Sequence, residues 1–186
     1  MKTAQKVRIL GVDPGSIFCG YGVIEKTGQK LSVVEYGVIR AKKKHDDLNY
    51  RLKEIFNRLT EVIIRTEPDE SAFETMFFAK NVQSLIKLSH ARAVAVLSAV
   101  LKDIPIHEYS PREVKKSVTG RGSAGKEQVQ FMIQNLLQIQ ETPELFDVSD
   151  ALAVAVCHSL KRDLPITSSN NWKEFLKNHP ERIVKL

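Results

Sequence analysis

Apolar and polar positions change period several times along the chain, and each change marks an element. Residues 7–13 form a short apolar run that stops at Asp-Pro-Gly-Ser, and the β-branched pattern resumes over 20–26 and 31–40 after glycine-containing breaks. These stretches predict three strands joined as hairpins. From Leu48, the residues Leu52, Ile55, Phe56, Leu59, Val62 and Ile63 recur at helical spacing, and Pro68 closes the predicted helix. A short strand over 70–75 precedes a long helix over 82–101, in which Ala91, Ala95 and Ala99 make a small-residue face. That face suits either a second copy of the chain or the chain's own sheet. A fifth strand is predicted over 104–109.

Ser110-Pro111-Arg112-Glu113 has the spacing of a capping box with proline at the first helical position, so a short helix starts there. Residues 119–125 carry three glycines and predict a mobile loop before an amphipathic helix over 126–138. Thr142-Pro143-Glu144 repeats the signal of a cap followed by proline and opens a last helix to about residue 160. Hairpins followed by strand-helix units predict an α/β domain, a five-stranded mixed sheet flanked by helices. Residues 1–162 form that domain, and 163–186 form a linker and tail containing Trp172.

The length of 186 residues allows one such domain. With 28 Lys and Arg against 22 Asp and Glu, and a pI near 9.3, the chain carries a modest basic excess that fits a polyanionic partner. Cys19 and Cys157 lack the spacing of a zinc site and read as buried apolar residues in a reducing compartment. No signal-peptide pattern or membrane-length apolar run stands out, so the cytoplasm is the expected location and no membrane the expected partner.

Asp13 and Glu74 fall at the carboxyl ends of the first and fourth strands, where ligands of α/β sheets collect. Asp147 and Asp150, spaced i, i+3 in the opening turns of the last helix, project from one face. Each acid also has an ordinary structural reading: Asp13 as a turn former before Pro-Gly, Glu74 as a strand-end charge, the aspartates as favourable charges at a helix N-terminus. Jointly they predict a cluster that repels itself unless a hard cation such as magnesium neutralises it. Two such ions about 3.5–4 Å apart support in-line phosphodiester hydrolysis by an activated water.

The strings ILGVDPGSIFCGYGVIE, FETMFFAKNVQSLIKLSHARAVA, YSPREVKKSVTGRGSAGKEQVQFMI and FDVSDALAVAVCH resemble, in order, the motifs of RuvC, the bacterial Holliday junction resolvase family. The resemblance spans residues 7 to 158. It implies a ribonuclease-H-like fold and a homodimer acting in homologous recombination and DNA repair. It also implies two magnesium ions per subunit, with manganese an alternative, paired symmetrical nicks in a four-way junction, and partnership with the RuvA–RuvB branch-migration complex. By resemblance, Asp13, Glu74, Asp147 and Asp150 are the metal-binding acids, although some family members place histidine at the position of Asp147. The paired phenylalanines of FETMFF and the tail beyond Asp163 depart from the pattern.

Between Arg112 and Lys126 stand five basic residues, Arg112, Lys115, Lys116, Arg121 and Lys126, against the single acid Glu113. Such a patch suits DNA phosphates, or else a solvated helix face. The resemblance assigns Lys115 and Lys126 to functional basic positions and Phe77 to a base-contacting aromatic. The basic run of residues 40–44 is expected to be a solvated loop, and His158 to be a core or surface residue outside the metal shell. A rival enzyme reading is an RNA-processing nuclease of the same superfamily, which needs no junction-sized face. A phosphate-binding ATPase or kinase requires a second glycine-rich phosphate loop, which the sequence lacks. A binding module without catalysis is expected to lose one of the four acids.

Overall fold

The computed structural model describes residues 6–44, 46–75, 81–139 and 146–162. Its elements run β1 (Lys6–Asp13), β2 (Phe18–Thr27), β3 (Lys30–Arg40), α1 (Ala41–Lys44), α2 (Leu48–Thr66), β4 (Glu70–Glu74), α3 (Val82–Val100), β5 (Ile106–Tyr109), α4 (Pro111–Thr119), α5 (Lys126–Leu137) and α6 (Phe146–Lys161). The strands lie in the order β3-β2-β1-β4-β5. β1, β2 and β3 pair antiparallel as hairpins, whereas β4 joins β1 and β5 joins β4 in parallel. The parallel half follows from the helical crossovers α2 and α3, which return the chain to the edge where each strand began. The sheet is mixed and five-stranded, as the sequence pattern predicts.

Alternation along β1 divides the molecule into two cores. Val7 and Ile9 face a cluster shared with α4, α5 and α6, while Leu10 and Val12 face a second cluster shared with α2 and α3. Both cysteines are free and buried. Among the described residues no helix is long and apolar enough to cross a membrane.

Four sequence expectations meet the structure in different ways. The basic run expected to be a loop begins as the end of β3 and continues as the short helix α1. Ala91, Ala95 and Ala99 are buried against the chain's own core, which answers the question of their face in favour of the sheet side. The cap and proline at 142–144 and the tail from residue 163 lie outside the described residues. At Ser110 the capping box forms as predicted: the hydroxyl accepts from the Glu113 N–H, and Glu113 accepts from the Ser110 N–H.

α6 lies unusually close to the sheet, and glycines make that possible. A Cβ at Gly11 would stand 2.1 Å from the Ala151 carbonyl oxygen, one at Gly20 2.0 Å from that of Asp147, and one at Gly22 2.4 Å from Leu152 Cδ2. The small residues Ala151 and Ala155 complete the contact from the helix side. This seating fixes the height of the first turn of α6 above the end of β1.

Candidate active site

Asp13 ends β1 opposite Gly20, and Glu74 ends the neighbouring parallel strand β4. Asp147 in the first turn of α6 and Asp150 at the start of the second approach them from the helix. Asp13, Glu74 and Asp150 line one pocket of about 250 Å³ together with Lys115, Lys126, Pro111, Val114 and Val129. Asp147, close enough to Asp13 to act on its charge, lines a separate groove that begins at Gly15 and Ser16. The structure therefore brings three of the four expected acids into one pocket and places the fourth in a separate groove.

The electrostatics are those of an acid cluster short of positive charge. Burial, reinforced by Asp150, Glu74 and Asp147 in that order, pushes Asp13 up to about 7, with Lys126 opposing. Glu74 is also raised, chiefly by burial and by Asp150, while Lys126 and Lys115 pull it down. Lys126, the first residue of α5, donates from Nζ to Asp150 Oδ2 at 2.9 Å. Burial works against its charge, but the bond to Asp150 and the surrounding acids outweigh burial and hold Lys126 above the usual ammonium range. The donors are all carboxylates and their charge is unbalanced, which fits hard divalent cations. Among the described residues the only trio of potential metal ligands with all its atoms within 4.8 Å is Glu70, His107 and His158. That trio belongs to the opposite end of β4 and is already hydrogen bonded: Tyr109 and Glu70 flank His158 at 2.6 and 2.5 Å, and Arg162 holds Glu70. We read it as a clamp between α6 and the sheet. His158 is thus a core residue away from the acids.

Of the expected DNA-binding residues, Lys115 and Lys126 line the carboxylate pocket. Arg112 and Arg121 are exposed outside it. The stem of Arg112 instead supports the glycine loop, where a Cβ on Gly122 would meet its Cγ at 2.5 Å. Phe77 lies outside the described residues. Sequence reasoning missed Arg92 of α3, whose Nε donates to the Glu74 carbonyl at 3.4 Å and whose guanidinium also pairs with Glu108. Arg92 braces the strand end that presents Glu74. An arginine between Ala91 and Ala93, next to the small-residue face of the helix, was the available signal.

A family model described as RuvC, crossover junction endodeoxyribonuclease, matches residues 9–158. A crossover junction endodeoxyribonuclease RuvC of Cytophaga hutchinsonii is 43% identical over 182 residues, covering 98% of this chain and 90% of the relative. The RuvC of Porphyromonas gingivalis is 44% identical, covering 94% of this chain and 96% of its own length. Among solved structures, Thermus thermophilus RuvC in complex with Holliday junction substrate superposes with a TM-score of 0.78 at 29% identity, over 84% of this chain and 94% of that one. The yeast mitochondrial Holliday junction resolvase Ydc2 shares the fold at 13% identity, with a TM-score of 0.59 over 94% of this chain and 84% of its own.

Proposed function

The chain belongs to the RuvC family of crossover junction endodeoxyribonucleases, and from that premise we propose how its own residues act on a four-way junction. The enzyme resolves Holliday junctions, and the observation that carries the residue assignment is the convergence of Asp13, Glu74 and Asp150 with Lys115 and Lys126 in one pocket. Asp13, Glu74, Asp147 and Asp150 hold divalent cations, magnesium in the cell, two per subunit. Those cations supply an activated water and a counter-charge for the departing oxygen of the phosphodiester. The protein does the rest by position. The end of β1 fixes Asp13, Arg92 braces Glu74 and the glycine-seated α6 sets the height of the two aspartates. Lys115 and Lys126 stand where a phosphate entering the pocket meets them, and Lys126 keeps Asp150 oriented toward it.

Symmetrical nicks need two such sites, and α3 supports a second copy of the chain. Val82, Ile86, Ala93, Leu97 and Val100 are exposed on one stripe of the helix, opposite the buried Ala91, Ala95 and Ala99. Pairing two stripes about a two-fold axis makes the homodimer and presents both carboxylate pockets to one junction. Phe77, beyond Glu74, acts as a base-contacting aromatic at the crossover. A RuvA–RuvB complex that delivers junctions and a cytoplasmic site of action complete the reading.

The test is cleavage of a four-way junction, a linear duplex and a single strand of matched sequence. Paired, magnesium-dependent nicks on the junction are expected, with Asp13→Asn and Glu74→Gln abolishing cleavage while junction binding survives. Nicking in excess chelator overturns the metal assignment, and equal rates on junction and duplex overturn junction selection.

A further inference from the structure

Separate from the pocket that holds Lys115 and Lys126, an open groove of about 680 Å³ runs from Gly15 and Ser16 between the first turns of α2 and α3. Lys42, Arg51 and Lys87 line it, with Asp46 and the candidate metal ligand Asp147 as its acids and Ser84 as a hydroxyl donor. Lys42 and Lys87 are exposed, and neither side chain has an ion pair among the described residues. Arg51 donates from Nη1 to the Ser16 carbonyl at 3.3 Å, while its Nε is buried with no partner. α3 adds to the positive field: it is 19 residues long, its first turn carries no acid, and its cap is the neutral Asn81.

We propose that this groove is a second phosphate track, which holds the backbone of the cut strand on the flank opposite Lys115 and Lys126. The inference rests on the nuclease reading above and adds to it the path of the DNA. A strand whose scissile phosphate lies on the carboxylates must leave the pocket in both directions. One exit passes Lys115 and Lys126. The other passes Asp147 and enters the groove, because Asp147 lines it and the turn after Asp13 forms its floor. Contacts of this kind set register and affinity and carry no sequence preference.

Lysine-to-glutamine changes at exposed positions leave the fold intact, so the experiment is a salt titration of binding to a labelled junction and to a linear duplex in excess chelator, where cutting is silent. Each phosphate contact contributes about 0.9 to the slope of log affinity against log salt. Lys42→Gln and Lys87→Gln are each expected to lower the slope by about one and the double variant by about two, while Lys30→Gln at the distant start of β3 leaves it unchanged. A wild-type slope in the double variant, or an equal fall for Lys30→Gln, overturns the track. Junction selection is judged separately, by the wild type's preference for junction over duplex in the same titrations. A slope change on both DNAs without that preference keeps the track and defeats the junction reading.

Discussion

Lys126 Nζ lies 2.9 Å from Asp150 Oδ2, so the first residue of α5 supplies the nearest positive charge to an acid cluster built by β1, β4 and α6. A cation so placed has two separable effects. It competes with metal for Asp150, and it offers a charge-assisted hydrogen bond to an incoming phosphate. Lys126→Gln is therefore expected to lower the junction cleavage rate at saturating magnesium by about tenfold or more, while the magnesium concentration for half-maximal rate stays level or falls. Rates across a magnesium series check this. A full rate at saturation with a raised magnesium requirement would confine Lys126 to orienting Asp150.

Burial and the neighbouring acids make ionised Asp13 costly in the metal-free protein. Its folded-state pKa of about 7 stands above the ordinary 3.8, so the folded chain holds a proton that the unfolded chain releases. The Asp13 contribution to the stability of the metal-free protein should fall as pH rises from about 4 through 7 and stay low above that. At pH 8, in chelator, Asp13→Asn should be more stable than the wild type by ~2 kcal/mol or more, since each tenfold change in proton affinity on folding corresponds to roughly 1.4 kcal/mol. Added magnesium should narrow the gap by stabilising only the wild type. Chemical denaturation of both proteins at pH 5 and 8, with and without metal, measures it.

The sequence made the element order legible because nearly every boundary carries a local signal: Pro68 after α2, the Ser110 capping box, the glycines before Lys126. Asp13, Glu74, Asp147 and Asp150 were legible because they fall at element ends, and the motif resemblance joined them. What pattern could not decide was which way a surface turns in space. Ala91, Ala95 and Ala99 read equally as an interface or a core face, and only the seating of α3 over the sheet separates these. Arg112 and Lys115 are three residues apart on α4, yet only Lys115 lines the acid pocket. Glu70 and His158 are 88 positions apart, and no spacing rule joins them. Glycines 11, 20 and 22 did carry a signal beyond that of a strand break, since glycine within a strand marks close backbone approach. Which element makes that approach is a tertiary fact that the strand's own residues do not encode.

Gly20 tests whether that close approach serves the site. A methyl group there would stand 2.0 Å from the carbonyl oxygen of Asp147, a backbone atom that can yield only if the first turn of α6 lifts. Gly20→Ala should be destabilised by about 1–3 kcal/mol, the usual range for overpacking a core, and should need more magnesium for cleavage because Asp147 and Asp150 move away from Asp13. Junction binding in chelator should change little. A variant with normal magnesium dependence would show that the sheet gives way instead of the helix.

His158 anchors the far end of the same helix and gives the opposite pH signature. Ionised Glu70, held down to about 2 mainly by Arg162, needs a donor, so Nε2–H of a neutral His158 donates to it at 2.5 Å while the Tyr109 hydroxyl donates to Nδ1 at 2.6 Å. Burial lowers the His158 pKa more than Glu70 raises it, so the folded state takes up a proton less readily than the unfolded chain. Its stabilising contribution is complete above the ordinary histidine value of 6.5 and is lost as pH falls below it. Glu70 does not enter that window, because its own contribution persists until pH drops below the ordinary glutamate value of 4.5. His158→Gln should cost about 1–3 kcal/mol at pH 7.5 by leaving a buried partner unsatisfied, and the difference from wild type should shrink between pH 6.5 and 5. Comparing the two proteins at each pH cancels the Asp13 contribution, which has the other sign and is common to both. A difference that grows as pH falls from 7.5 to 5 would mean that His158 is already charged in the folded protein, with Glu70 as its ion-pair partner.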